Sequence, residues 1–132
     1  MMDHSPTVAA IAVMERRILL AFALNRLRTM TCAEAITAAA VARRPVDEAP
    51  AFEKAVEGLC AKGTLTMQLV TVAGWKVPTL RVADFGAMPV QTAAALRSRM
   101  RVCRPEDDGR FTRLLVLPTD QLAEAAQCYV PL

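Results

Sequence analysis

This sequence predicts an α+β fold, with three helices leading into a β-hairpin and then a shorter segment in the order helix, strand, strand, helix. Three observations point there. Apolar residues recur at helical spacing from Thr7 to Lys62, interrupted near Thr31 and at Arg43-Arg44-Pro45. The apolar period falls to two between residues 65 and 82, with Ala73-Gly74 in the middle. Beyond Asp84-Phe85-Gly86-Ala87 the pattern breaks into pieces too short for a confident separate domain. The expected organisation is a disordered N-terminus over 1–6, a main module over 7–86, and an αββα extension over 87–132 packed on it.

Helix 1 is expected from about Thr7 to Arg28. On a helical wheel it has two apolar stripes, Ile11, Met14, Ile18 and Phe22 on one side and Val13, Leu20, Leu24 and Leu27 on the other. A helix with two stripes is packed on both sides. One side suits the local three-helix core. Val13, Leu20, Leu24 and Leu27 then need either the C-terminal half or a second subunit, so a homodimer through helix 1 is one expectation.

Helix 2 opens at Thr31 with Glu34 three residues on, the signature of a capping box, and should run to about Ala42. Pro45 ends it, because proline disfavours helix at the residue before it. Helix 3 should start near Asp47 or Pro50, end at Lys62 and stop at Gly63. In the hairpin a two-residue loop sets Val72 opposite Trp75, Val70 opposite Val77, Gln68 opposite Thr79 and Thr66 opposite Arg81. Leu65, Met67, Leu69, Leu80 and Val82 then form the expected core face, and Pro78 calls for an edge position. Beyond it, Pro89 to about Arg99 reads as a helix, Met100–Arg104 and Phe111–Leu117 as strands, and Thr119 as the cap of a last helix reaching Cys128.

Composition narrows the function classes. Apolar residues make up 54% of the chain, enough for a packed core. Net charge is +3, too mild for the concentrated basic face of a strong nucleic-acid binder. Residues 8–27 are apolar but carry Glu15, Arg16 and Arg17 mid-segment, each costing about 2.5–3.5 kcal/mol at a bilayer centre, so no membrane span is expected. Cys32, Cys60, Cys103 and Cys128 form no Cys-x-x-Cys pair, and His4 is the only histidine, so neither metal nor cofactor is expected. Reduced thiols in a cytoplasmic protein are the default without a secretion signal. No phosphate loop or Gly-x-Ser-x-Gly element is present, and the expectation is a protein that is not an enzyme. Cys32 at the start of helix 2 could have its thiol pKa lowered by the helix dipole, but no base lies near it in sequence.

Three helices followed by a hairpin, with Leu59, Gly63 and Leu65 at the junction Ala55–Leu65, resemble the winged helix-turn-helix superfamily over residues 7–82. Leu59 anchors the helix, Gly63 takes a positive φ, and Leu65 returns to the core. The resemblance implies DNA binding, with helix 3 in the major groove and the wing on the backbone. The residues oppose that. Glu53, Lys54, Glu57, Gly58 and Ala61 form the outer face of helix 3, and Asp47 and Glu48 precede it. That face is mostly acidic and repels phosphates.

The wing tip instead offers Val70, Val72, Trp75 and Val77 with Lys76 beside them, an arrangement closer to a protein-binding surface unless the C-terminal segment covers it. Arg43, Arg44, Lys54, Arg81, Arg97, Arg99 and Arg101 are the candidate contacts for a nucleic acid or an acidic partner. Arg104, Arg110 and Arg113 extend that cluster, and Glu106, Asp107 and Asp108 partly neutralise it. The favoured expectation is a non-enzymatic winged-helix adaptor, inhibitor or assembly factor that binds another protein. The alternative is a transcriptional regulator binding duplex DNA.

Overall fold

Thr7 starts the first helix by accepting the Ala10 N–H at 3.1 Å. In the computed structural model, which describes residues 5–83, 90–103 and 114–128, this helix is α1 (Val8–Asn25). It ends earlier than the sequence suggests. Arg26 turns left-handed (φ 54°) and the Leu27 N–H returns to the Phe22 carbonyl, which closes the helix. The freed chain forms β1 (Thr29–Thr31), a strand that helical periodicity had concealed.

Thr31 and Glu34 then exchange hydrogen bonds as a capping box and launch α2 (Cys32–Ala38). The helix stops four residues short of the expected Ala42. Ala40 adopts φ +52°, and the Val41 N–H bonds back to the Ile36 carbonyl. An alanine in this region is strained by about 1–2 kcal/mol. Arg17 of α1 offsets the strain by donating to the Ala39 carbonyl (Nη2, 2.8 Å) and the Ala40 carbonyl (Nη2, 2.8 Å). After the loop, α3 (Ala49–Ala61) begins with Pro50 in its first turn and buries Phe52, Ala55, Val56 and Leu59.

Gly63 takes φ +77° and turns the chain into β2 (Leu65–Val72), which pairs with β3 (Trp75–Val82). The register is the one the two-residue loop dictates, from Val72 opposite Trp75 to Leu65 opposite Val82. Ala73 and Gly74 both have positive φ, as a tight hairpin turn requires. The sheet order is β1-β3-β2, so β3 is the middle strand. Pro78 nonetheless has the outward-facing edge position it calls for. The placement works because β1 opposes only Thr79 to Arg81. At Pro78 the middle strand has already lost its neighbour, so no donor is missed there.

α4 (Val90–Arg97), β4 (Arg101–Cys103), β5 (Leu114–Val116) and α5 (Thr119–Cys128) follow, with β4 and β5 paired antiparallel. Arg99 lies in the turn after α4, two residues before β4 begins at Arg101. In α5 the Leu122 N–H reaches the Pro118 carbonyl, which makes Thr119 the first helical residue and not the cap. Met1–His4, Asp84–Pro89, Arg104–Arg113 and Tyr129–Leu132 lie outside the described residues, and with them most of the expected disordered N-terminus.

The result is a mixed α+β structure around one core. Met14, Ile18 and Phe22 meet Phe52, Leu59, Leu65 and Leu80 in it, and Leu114, Leu117, Leu122 and Ala126 join the same cluster. Leu20 and Leu24 are 0% and 3% exposed in the single chain. The cover on their side is α5 and β5, which pack along α1. Arg16 Nη1 donates to the Gln127 carbonyl near the end of α5, at 3.0 Å. Asn25 Nδ2 donates to the Leu115 carbonyl and Asn25 Oδ1 accepts the Leu115 N–H, so one amide stands in for a neighbouring strand at β5. Val13 and Leu27 are half-buried.

Candidate functional site

The hairpin divides into a buried base and an exposed tip. At the base, Leu65, Leu80 and Val82 are at most 1% exposed, and Thr79 is buried on the other face. Toward the turn the same core face leaves the protein. Met67 is 51% and Leu69 63% exposed, which overturns their expected core placement. The reason is length. At about 3.3 Å per residue an eight-residue strand runs well past the helices that cover its start.

On the opposite face Trp75 is 77% exposed, and Val70, Val72 and Val77 are half-buried against one another. No described part of residues 83–132 covers the tryptophan. Cross-strand pairing joins Val70 to Val77 and Val72 to Trp75, so the four side chains form one apolar strip. Lys76 pairs with Thr71 and lies on the other face, the one that carries Met67 and Leu69. Arg81 shares the tryptophan face, but six residues away, about 20 Å along the strand. It cannot act as a rim charge for Trp75.

A groove of about 710 Å³ adjoins the base of the hairpin on its helix side. Cys32, Ile36, Phe52, Val56 and Met67 supply apolar walls, with Arg43 and Arg44 on the rim against Asp47, Glu53 and Glu57. The two exposed arginines thus share the groove lining with three carboxylates. Lys54, the remaining cation on the outer face of α3, lies 3.5 Å from Glu57. Both are exposed, so that pair contributes little. Arg99 and Arg101 are exposed and Arg97 is half-buried. These three stand in the C-terminal segment, apart from α3 and the hairpin. Arg104, Arg110 and Arg113, with Glu106, Asp107 and Asp108, lie outside the described residues.

The loop that carries Arg43 and Arg44 is held from below by a charged pair. Arg17, 4% exposed, donates Nη1 to Glu48 Oε2 at 2.6 Å and Nη2 to Glu48 Oε1 at 3.1 Å. Glu48 Oε1 also accepts the Ala42 N–H at 2.8 Å. Burial works against the charged carboxylate, but the Arg17 and Ala42 hydrogen bonds and the Arg17 charge outweigh it, so Glu48 is held below the usual carboxylate range. Nothing in the sequence announced this pair, because thirty-one residues separate its members.

Burial first, and the neighbouring Cys60 second, push the Cys32 thiol up, opposite to the lowering a helix dipole would give. Among the described residues no group of three or more His, Cys, Asp or Glu side chains could hold a metal. No described helix is long and apolar enough to cross a membrane. No family model, curated protein or solved structure matches the chain.

Proposed function

We propose that residues 7–86 form a winged-helix module whose work is to hold another protein, with the strip of Val70, Val72, Trp75 and Val77 as the contact. The helix–strand–helix–helix–hairpin order and the projecting wing support the fold. The single observation that carries the function is Trp75, 77% exposed at the end of a hairpin whose tip is apolar on both faces. A tryptophan contributes about 150–250 Å² of buried area with few rotors to freeze, which is how an interface anchor behaves. An acidic outer face on α3 and a wing tip with Lys76 as its only cation weigh against a phosphate backbone as the partner. On this reading the chain is an adaptor, inhibitor or assembly factor and catalyses nothing.

The test is a capture experiment from native lysate, with nuclease present and absent, using the wild-type chain and Trp75→Ala. Nuclease-resistant capture that Trp75→Ala weakens by at least about 2 kcal/mol, roughly thirtyfold, supports the reading. Duplex DNA is titrated in parallel at about 150 mM salt, where only non-specific affinity, in the range of about 10⁻⁴–10⁻⁶ M or weaker, is expected. Nanomolar duplex binding that falls on Lys54→Ala would replace this reading with a transcriptional regulator.

A further inference from the structure

We infer that the free edge of β2 pairs with the same edge of a second copy of this chain, antiparallel, about a two-fold axis at Gln68. This goes beyond the partner proposed for the Trp75 strip and uses a different surface.

Among the described residues β2 has β3 on one side and no strand on the other. Its sequence, Leu-Thr-Met-Gln-Leu-Val-Thr-Val, contains no charge, proline or glycine, and its pairing with β3 runs unbroken without a bulge. Proteins that keep a sheet edge unpaired usually blunt it with one of those devices. The two-residue turn makes Val72–Trp75 a hydrogen-bonded pair, and the bonding alternates from there. Thr66, Gln68, Val70 and Val72 therefore bond to β3. The N–H and C=O groups of Leu65, Met67, Leu69 and Thr71 point outward with no strand to receive them.

That edge is self-complementary. An antiparallel pairing centred on Gln68 sets Met67 opposite Leu69 of the second copy and Leu65 opposite its Thr71, each contact occurring twice. Met67 and Leu69, half or more exposed in the single chain, are then brought together on one face. The charges agree with this arrangement. Lys76 is on that face at the tip, and Glu53 and Glu57 of α3 border the same groove as Met67 at the base. Antiparallel pairing lays each tip alongside the other copy's base, so a cation approaches acids on both sides of the axis.

The contact is small. An edge about 26 Å long and about 10 Å deep removes a few hundred Å² per chain, well under the roughly 800 Å² of a standard interface. The dimer is therefore weak and concentration-dependent, with its three-stranded sheets joined into one.

The test is sedimentation velocity on the full chain from about 5 to 500 μM, with dissociation constants converted as usual. The wild type should pass from monomer to dimer in that range. Leu69→Lys adds a charge at an exposed position whose N–H is outside the intramolecular ladder, and should weaken dimerisation at least about tenfold with an unchanged circular dichroism spectrum. Trp75→Ala should leave it unchanged. Under mild oxidation Gln68→Cys should form a 68–68 disulfide, identified by peptide mapping, whereas Thr66→Cys, displaced from the axis, should not. A wild type that stays monomeric at about 500 μM overturns the proposal, as does a dimer indifferent to Leu69→Lys or cross-linking at 66 and 68 alike. Each of those results leaves capture of another protein by the Trp75 strip standing, and loss of that capture leaves the dimer standing.

Discussion

α1 and the β2–β3 hairpin carry the same kind of pattern, with apolar residues on two opposed sides, and the chain treats them in opposite ways. Around α1 both sides are covered from within. Ile18 and Phe22 are fully buried, and so is Leu20 on the far side, where α5 and β5 close over the helix. At the hairpin tip neither side is covered, and Met67, Leu69 and Trp75 all reach solvent. The difference follows from reach. A helix at the centre of the chain's contacts can recruit a later segment, whereas a strand that projects past its helices has no other part of the described chain to meet. A two-sided pattern thus states that a cover is wanted and leaves open whether the chain itself provides it.

The comparison can be broken most sharply at α1. Leu20→Ala should cost about 2–5 kcal/mol in chemical denaturation, because it opens a cavity at a fully buried site. A loss under about 1 kcal/mol would mean that the cover is loose and that the two regions are not so different.

A smaller effect belongs to the pair beneath the groove. Glu48→Ala leaves the Arg17 guanidinium buried without its carboxylate and should cost about 1–3 kcal/mol. The loss should fall below the upper end, since a quarter of the Glu48 side chain touches water, which screens the pair. This pair also makes stability depend on pH. The Glu48 carboxyl is depressed in the folded chain, so its contribution is fully present above its unfolded pKa and disappears as pH falls through the lower folded value. The denaturation midpoint of the wild type should therefore fall more than that of Glu48→Gln as the pH is lowered through the acidic range.

The smallest change is expected at the tip. Trp75→Ala should alter stability by no more than about 0.5 kcal/mol, since the ring makes little contact with the folded body. Were that substitution to unfold the protein, the tip would be core and the contrast with α1 would vanish.

Much of the architecture could be read from local chemistry. The Thr31/Glu34 box, Pro50 in a first turn, Gly63 as a stop and the two-residue hairpin loop each depend on neighbours in sequence, and each fixes an element boundary or a register. What escaped depends on partners far along the chain. The early end of α2 is set by Arg17, more than twenty residues upstream. β1 exists because β3, about fifty residues later, pairs with it. The site was legible in part for the same reason. Parity along the hairpin separated the Trp75 strip from the Leu65 face, but the depth of the helices beneath the hairpin decides where burial ends, and parity holds no information about depth. Met67 and Leu69 share parity with Leu65 but lie beyond that depth.

Pro78 bears on how large an assembly this sheet can build. In the language of polymerisation, a subunit with two open sheet edges is bifunctional and can grow without limit, whereas one with a single open edge stops at a pair. The three-stranded sheet has β1 on its other side, only three residues long and running directly into α2. Just past it, where β3 is otherwise bare, the chain presents a proline nitrogen with no hydrogen to donate. That side offers an incoming strand almost no foothold. The sheet is left with a functionality of one, so self-association through β2 terminates at two chains and cannot propagate into a filament.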